Sequence, residues 1–267
     1  MKRRLILFLL SVPLLALSQG SLLSTLIQAA PHSNIEIIHT KMSCFLSQQK
    51  DKMANAKSDL KFLKSLVNES HKKFLRSYQP YSQFNELFEN GKYDCLTGTS
   101  FFSVLFDELH FPYKIIETNY HIFLLIETKQ GQVLLETTDR YFGFKTSLAE
   151  IEKCLSQYRE NLLINSSSKN IPYYTYQADL FHEVKGRQLG GLLYFNQAVV
   201  SFNKRDWVSC VDLLEKARGL YDNPRVAELT NILSVAIAKS DLTQKVKQEL
   251  FISLSKYSQT SPVIAIR

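Results

Sequence analysis

Between residues 97 and 138 the apolar pattern changes period once, from helical to alternating, and no other feature of the chain restricts its fold as much. Phe101, Phe102, Leu105, Phe106 and Leu109 recur at helical spacing over residues 97–109. Phe111-Pro112 ends that helix, because a residue before proline is pushed out of the helical region. Residues 113–118 are strand-like, and residues 121–127 and 133–138 are two further β-rich runs. Lys129-Gln130-Gly131 between the last two is a hairpin signal. A buried helix that feeds directly into antiparallel strands has to cover its apolar side with their sheet. The expected class is therefore α+β, with helices before and after a small antiparallel sheet.

The flanks read as mostly helical. Residues 33–78 carry Leu60, Leu63, Val67 and Phe74 on one stripe, with Ser70-His71 between and lysines opposite. Residues 78–82 break that pattern, residues 84–88 supply a short further turn, and Asn90-Gly91 marks a tight one. Residues 148–159 form a further helix, residues 165–168 a loop, and residues 171–176 an aromatic extended segment expected against the sheet. From residue 188 to 257 the pattern is helical throughout.

The chain of 267 residues, 45% hydrophobic and 21% charged, is long enough for a sizeable core and excludes a disordered protein. Its net charge of +7 includes Lys2, Arg3 and Arg4; without them 29 basic residues stand against 25 acidic ones, spread along the chain. No basic patch argues for nucleic acid. Those three residues instead open a pattern typical of a secretory signal peptide over residues 1–18. An apolar run of about thirteen residues follows them, with a small-residue exit at Ala16-Leu17-Ser18. That run is shorter than the roughly 20 residues a membrane-spanning helix needs. An uncleaved anchor and a buried helix are the alternatives, and a later cut after Ala29-Ala30 is compatible with the apolar character of residues 22–30. The expectation is an exported protein, periplasmic or secreted, with no membrane span after cleavage. Its parts would be an α+β domain with N-terminal helices at 19–186 and a helical extension at 187–267. Cys44, Cys95, Cys154 and Cys210 are scattered without a C-x-x-C pair, which argues against a zinc site, while export permits a disulfide.

Three residues form a candidate site. Cys95 stands where a loop enters the buried helix, so unpaired backbone N–H groups and the positive end of the helix dipole favour its thiolate and a developing oxyanion. His121 opens an otherwise apolar strand, a rigid place for a base that serves a thiol. A carboxylate to orient the imidazole depends on hairpin register: an odd pairing sum puts Glu136 on the face of His121, an even sum of 260 puts Asp139 opposite it. The sequence leaves both open.

The run Cys95-Leu-Thr-Gly-Thr-Ser, Leu109-His-Phe-Pro-Tyr, His121-Ile-Phe, Gln130-Gly and Leu135-Glu-Thr-Thr138 resembles the transglutaminase-like superfamily of papain-like thiol enzymes. The resemblance spans roughly residues 85–145 and has Glu where the family usually has Asp. It implies Cys95 as nucleophile, His121 as base and Glu136 as carboxylate, in acyl transfer through a thioester on a peptide or protein amide. Hydrolysis is expected over cross-linking, since no feature selects an amine acceptor. The Cys95 N–H would be one oxyanion donor, with a second from residues 79–83 or Tyr93. No metal-ligand set or phosphate-binding glycine loop is present, so no cofactor is expected.

Residues 194–224 resemble a tetratricopeptide repeat, with Ala198, Cys210, Leu214 and Ala217 at packing positions, Asp206-Trp207 at the turn and Asp222-Asn-Pro224 closing the unit. Cys210 is then structural. A second helix pair follows at 225–240 and 242–257. Two pairs are too few to stand alone, so they should pack on the rest of the chain, where residues 188–257 could also take a protein partner. The alternative to an enzyme is a non-catalytic interaction or scaffold protein built from the same shell and helices.

Overall fold

In the computed structural model, the described residues are 21–30, 34–160, 180–221 and 223–255. The signal-peptide reading and the expected segments at 165–168 and 171–176 lie outside them. Within them the chain is mixed α+β. Helices α1 (Leu22–Gln28), α2 (Ile35–Ala54) and α3 (Asp59–Lys73) precede a two-residue parallel pairing of β1 (Ser77–Tyr78) with β2 (Lys92–Tyr93), around the short α4 (Glu86–Glu89). The single helical stretch expected over residues 33–78 is thus two helices and a strand. Asn34 caps α2, and the chain breaks at Asn55 before α3 begins.

Helix α5 (Cys95–Leu109) is buried along its length apart from the half-buried Cys95 and the exposed Asp107 and Glu108. It stops at His110, whose left-handed backbone (φ 58°) lets the last carbonyls be capped. Strands β3 (Tyr113–Thr118), β4 (Ile122–Thr128), β5 (Gly131–Leu135), β6 (Phe144–Lys145) and β7 (Phe181–Val184) form an antiparallel five-stranded sheet in the order β6-β5-β4-β3-β7. Strand β7 has no counterpart in the sequence reading.

Strand alternation divides the sheet between two packing faces. Ile115, Ile122, Leu124, Ile126, Val133 and Leu135 join the main core, which includes α5. Ile116, Phe123, Leu125 and Leu134 face the other way and pack with Ile151 of α6 (Leu148–Glu160). Helices α7 (Gly186–Asn203), α8 (Trp207–Leu220), α9 (Pro224–Lys239) and α10 (Gln244–Ser255) complete the described chain. Ala198, Cys210 and Ala217 are fully buried between α7 and α8, as expected of small residues where two helices approach closely. The core is continuous from Leu26 to Leu254, so the C-terminal helices share it with α1 and α5. Gly190 of α7 lies against Thr25 of α1, where an added methyl would sit 2.6 Å from a Thr25 carbon. Among the described residues no helix is long and apolar enough to cross a membrane.

Candidate active site

Cys95 is the first residue of α5. Asp94 caps the helix: its carboxylate accepts from the Thr97 N–H (2.8 Å), and Thr97 Oγ1 in turn accepts from the Asp94 N–H (2.9 Å). The start of α5 is stitched to the head of β4 and to the segment that follows β5. Thr99 Oγ1 donates to the Ile122 carbonyl at the start of β4 (3.3 Å), and Thr137 Oγ1 donates to the Cys95 carbonyl (3.5 Å). Gly98 makes this approach possible, since a methyl there would stand 2.6 Å from Thr137 Oγ1. The cysteine is therefore fixed between Ile122, which follows His121, and Thr137, which follows Glu136.

The hairpin settles the choice of carboxylate. Leu124 pairs with Leu135 and Thr128 with Gly131, so only Lys129 and Gln130 lie between the strands and the pairing sum is odd. Glu136 consequently falls on the face of His121, on the diagonal that long side chains can span. His121 Nε2 is bonded to Glu136 Oε2. Asp139 does not face the imidazole. Its carboxylate accepts from the N–H groups of Tyr141 (3.1 Å) and Phe142 (2.9 Å), closing a turn that returns the chain to β6.

Glu136 is buried and fully engaged. Oε1 accepts from Thr138 Oγ1 (2.8 Å) and Thr138 N (3.3 Å), and Oε2 accepts from the Tyr158 hydroxyl (2.8 Å). Burial alone would raise its pKa, but the bonds from His121, Thr138 and Tyr158 outweigh that and hold the carboxyl below its usual range. Tyr158, on α6, also stacks on the imidazole, with ring centres 5.5 Å apart and planes at 29°, and Phe123 stacks 4.9 Å beyond it. Sequence reasoning missed Tyr158, because nothing local ties a tyrosine of α6 to a strand end more than thirty residues earlier.

Cys95 departs from expectation. Burial first, then the carboxylates of Asp94 and Glu136, push its thiol above the ordinary range, while the N–H groups of Ile122 and Leu96 act in the opposite sense. The two N–H groups do not offset that burial and the two carboxylates, so the helix start does not lower the thiol as expected. All four cysteines are unpaired by disulfide, and Cys210, pushed up to about 12 by burial, donates to the Ala198 carbonyl as a structural thiol.

Cys95 and His121 both open onto a cavity of about 790 Å³. It is lined by Leu192, Phe195, Asn196 and Val199 of α7 and by Tyr78, Pro80 and Tyr81, with Glu117 and Arg225. That volume lies within the range of small-molecule and peptide-side-chain sites. The second oxyanion donor expected from residues 79–83 is mostly committed elsewhere. Gln79 N donates to the Tyr93 carbonyl and Gln83 N to Glu86, Tyr81 N holds Asp94, and Pro80 has no N–H. Among the described residues no group of three or more His, Cys, Asp or Glu side chains is placed to hold a metal ion.

No family model matches the chain, and no curated protein or solved structure matches it either.

Proposed function

We propose that this chain is an exported, transglutaminase-like thiol hydrolase that cleaves a peptide or protein amide through a thioester on Cys95. The observation that carries the proposal is the Glu136–His121 pair, packed under Tyr158, with His121 lining the same cavity as Cys95. The carboxylate engages Nε2, which leaves Nδ1 to accept the thiol proton as sulfur attacks the carbonyl. A thiol pushed upward by burial and neighbouring carboxylates is one that such a base would serve. The Cys95 N–H at the helix start is the donor proposed for the oxyanion. The leaving amine takes the proton back from His121, and water then resolves the acyl-enzyme.

The rival reading is a non-catalytic scaffold, favoured by the setting of Cys95 among the carboxylates of Asp94 and Glu136, which works against its thiolate. An activated ester separates the two. With p-nitrophenyl acetate, the Cys95 sulfur would bond to the acetyl carbon as p-nitrophenolate leaves and His121 takes the proton. Peptide mass spectrometry on samples acid-quenched within the first turnover, before water resolves the thioester, should then find an acetyl group on Cys95, with p-nitrophenolate release lost in Cys95→Ala. Acetylation confined to surface lysines, with Cys95 unmodified, would support the scaffold.

A further inference from the structure

His121 does not stand in a strand. It is the last residue of the β3–β4 turn, which runs from Thr118 to His121. The turn is closed by three local bonds: the Thr118 N–H and Oγ1 both donate to the His121 carbonyl (2.8 and 3.1 Å), and the His121 N–H donates to Thr118 Oγ1 (3.1 Å). From outside, one side chain grips it at two points. Arg225, in the first turn of α9, donates through Nη1 to Glu117 Oε1 (2.6 Å) and through Nη2 to the Asn119 carbonyl (3.0 Å). Glu117 is the residue just before the turn and Asn119 lies within it.

The grip is buried and supported on every side. The side chain of Glu117 is 3% exposed and that of Arg225 is 12% exposed. Tyr221, at the end of α8, donates to Glu117 Oε2 (2.6 Å), His182 of β7 faces the same oxygen at 3.4 Å, and the guanidinium lies over the Phe195 ring of α7. Asn119 Oδ1 accepts from the Leu180 N–H (2.6 Å). Glu117 and Arg225 line the same cavity as Cys95 and His121.

We infer that Arg225 is a positioning residue for His121: the C-terminal helices, through this one guanidinium, set the place of the imidazole beside Cys95. The inference rests on the acyl-transfer reading above and extends it, because it makes α8 and α9 part of the site rather than an appended binding surface. A guanidinium fork can satisfy a carboxylate and a carbonyl at once, and an ammonium on a flexible stem cannot hold that planar geometry. Small displacements of a base cost rate steeply.

The test is a double-mutant cycle on the rate of Cys95 acetylation by p-nitrophenyl acetate. Arg225→Lys is measured in the parent chain and in His121→Ala, with the thermal midpoint recorded for each. We expect Arg225→Lys to slow acetylation about tenfold in the parent and to have little effect once His121 is gone, since it acts only through the imidazole. Glu117→Gln/Arg225→Met removes the ion pair as a whole and leaves no buried charge unpaired, so it stays folded even if Arg225→Lys does not. It should show the same slowing and the same dependence on His121. Equal slowing with and without His121, in whichever variant folds, would mean a structural residue only and overturns the inference. A His121→Ala effect that is intact while both Arg225 variants match the parent also overturns it, and leaves the acyl-transfer reading standing. A parent whose rate is indifferent to His121 overturns both.

Discussion

At the scale of single residues, the site is held by a carboxylate whose hydrogen bonds outnumber its freedoms. Glu136 receives His121, Thr138 and Tyr158, and its pKa is depressed in consequence. Its contribution to stability is therefore present above the unfolded value of about 4.3 and is lost as pH falls through the lower folded value. Glu136→Gln should cost roughly 1.5–3 kcal/mol at neutral pH, by removing charge-assisted bonds from a buried position. It should also flatten the acid limb: between pH 7 and pH 3 the parent loses more unfolding free energy in urea than the variant does. A parallel decline in both chains would show that the carboxylate is not stabilised in the folded state. The start of α5 at Cys95 was announced locally by its apolar stripe, whereas His121, read as opening a strand, closes the turn just before β4. Glu136 could be narrowed only to a choice with Asp139. The register turns on whether Gly131 belongs to the loop or to β5, and the backbone decides for β5 with φ 119°.

At the scale of elements, the close seating of α5 on the sheet places the sulfur. Gly98 stands one turn beyond Cys95 and touches Thr137, the neighbour of Glu136. Gly98→Ala should destabilise the protein by about 1–3 kcal/mol through overpacking, against the gain in helix propensity of up to about 1 kcal/mol that alanine normally gives. Thr137→Ala in the same chain should recover part of the loss, since the oxygen at 2.6 Å goes while the carbon at 3.0 Å remains. Thermal unfolding of the four chains of that cycle checks it, and purely additive effects would contradict the contact. The helix itself was plain from its apolar stripe, and so were the hairpin and the small-residue packing of α7 on α8. Strand β7 was not, because a four-residue strand at a sheet edge carries too little periodicity to stand out. The same limit hid Tyr158 and the grip of Arg225 on Glu117, which join residues more than a hundred positions apart in the second case.

At the scale of the whole molecule, one core joins the first described helix to the last. Leu26, Ile27, Ala29 and Ala30 are all buried, and the Gln28 carbonyl accepts from the Tyr194 hydroxyl of α7 (2.7 Å). A cut after Ala30 would discard that helix, whereas one after Ser18 would keep it. A chain beginning at residue 31 should therefore be less stable than one beginning at residue 19 by at least about 3 kcal/mol, given about 1.5–3 kcal/mol for each large apolar side chain buried. Equal urea midpoints for the two chains would show that α1 adds nothing to the core. The helical extension anticipated at 187–267 is likewise woven into the same core as α5, and through Arg225 it reaches the turn that carries His121.

The central claim is that His121 and Glu136 serve Cys95 as a base. The most direct measurement is the single-turnover rate of Cys95 acetylation by p-nitrophenyl acetate at neutral pH, in the parent and in His121→Ala, each shown to be folded by its unfolding midpoint. The account predicts a fall of about 10²-fold or more on loss of the imidazole, with little change in stability. Equal rates in the two chains would contradict it, and would make Cys95 an inert thiol at the start of a buried helix.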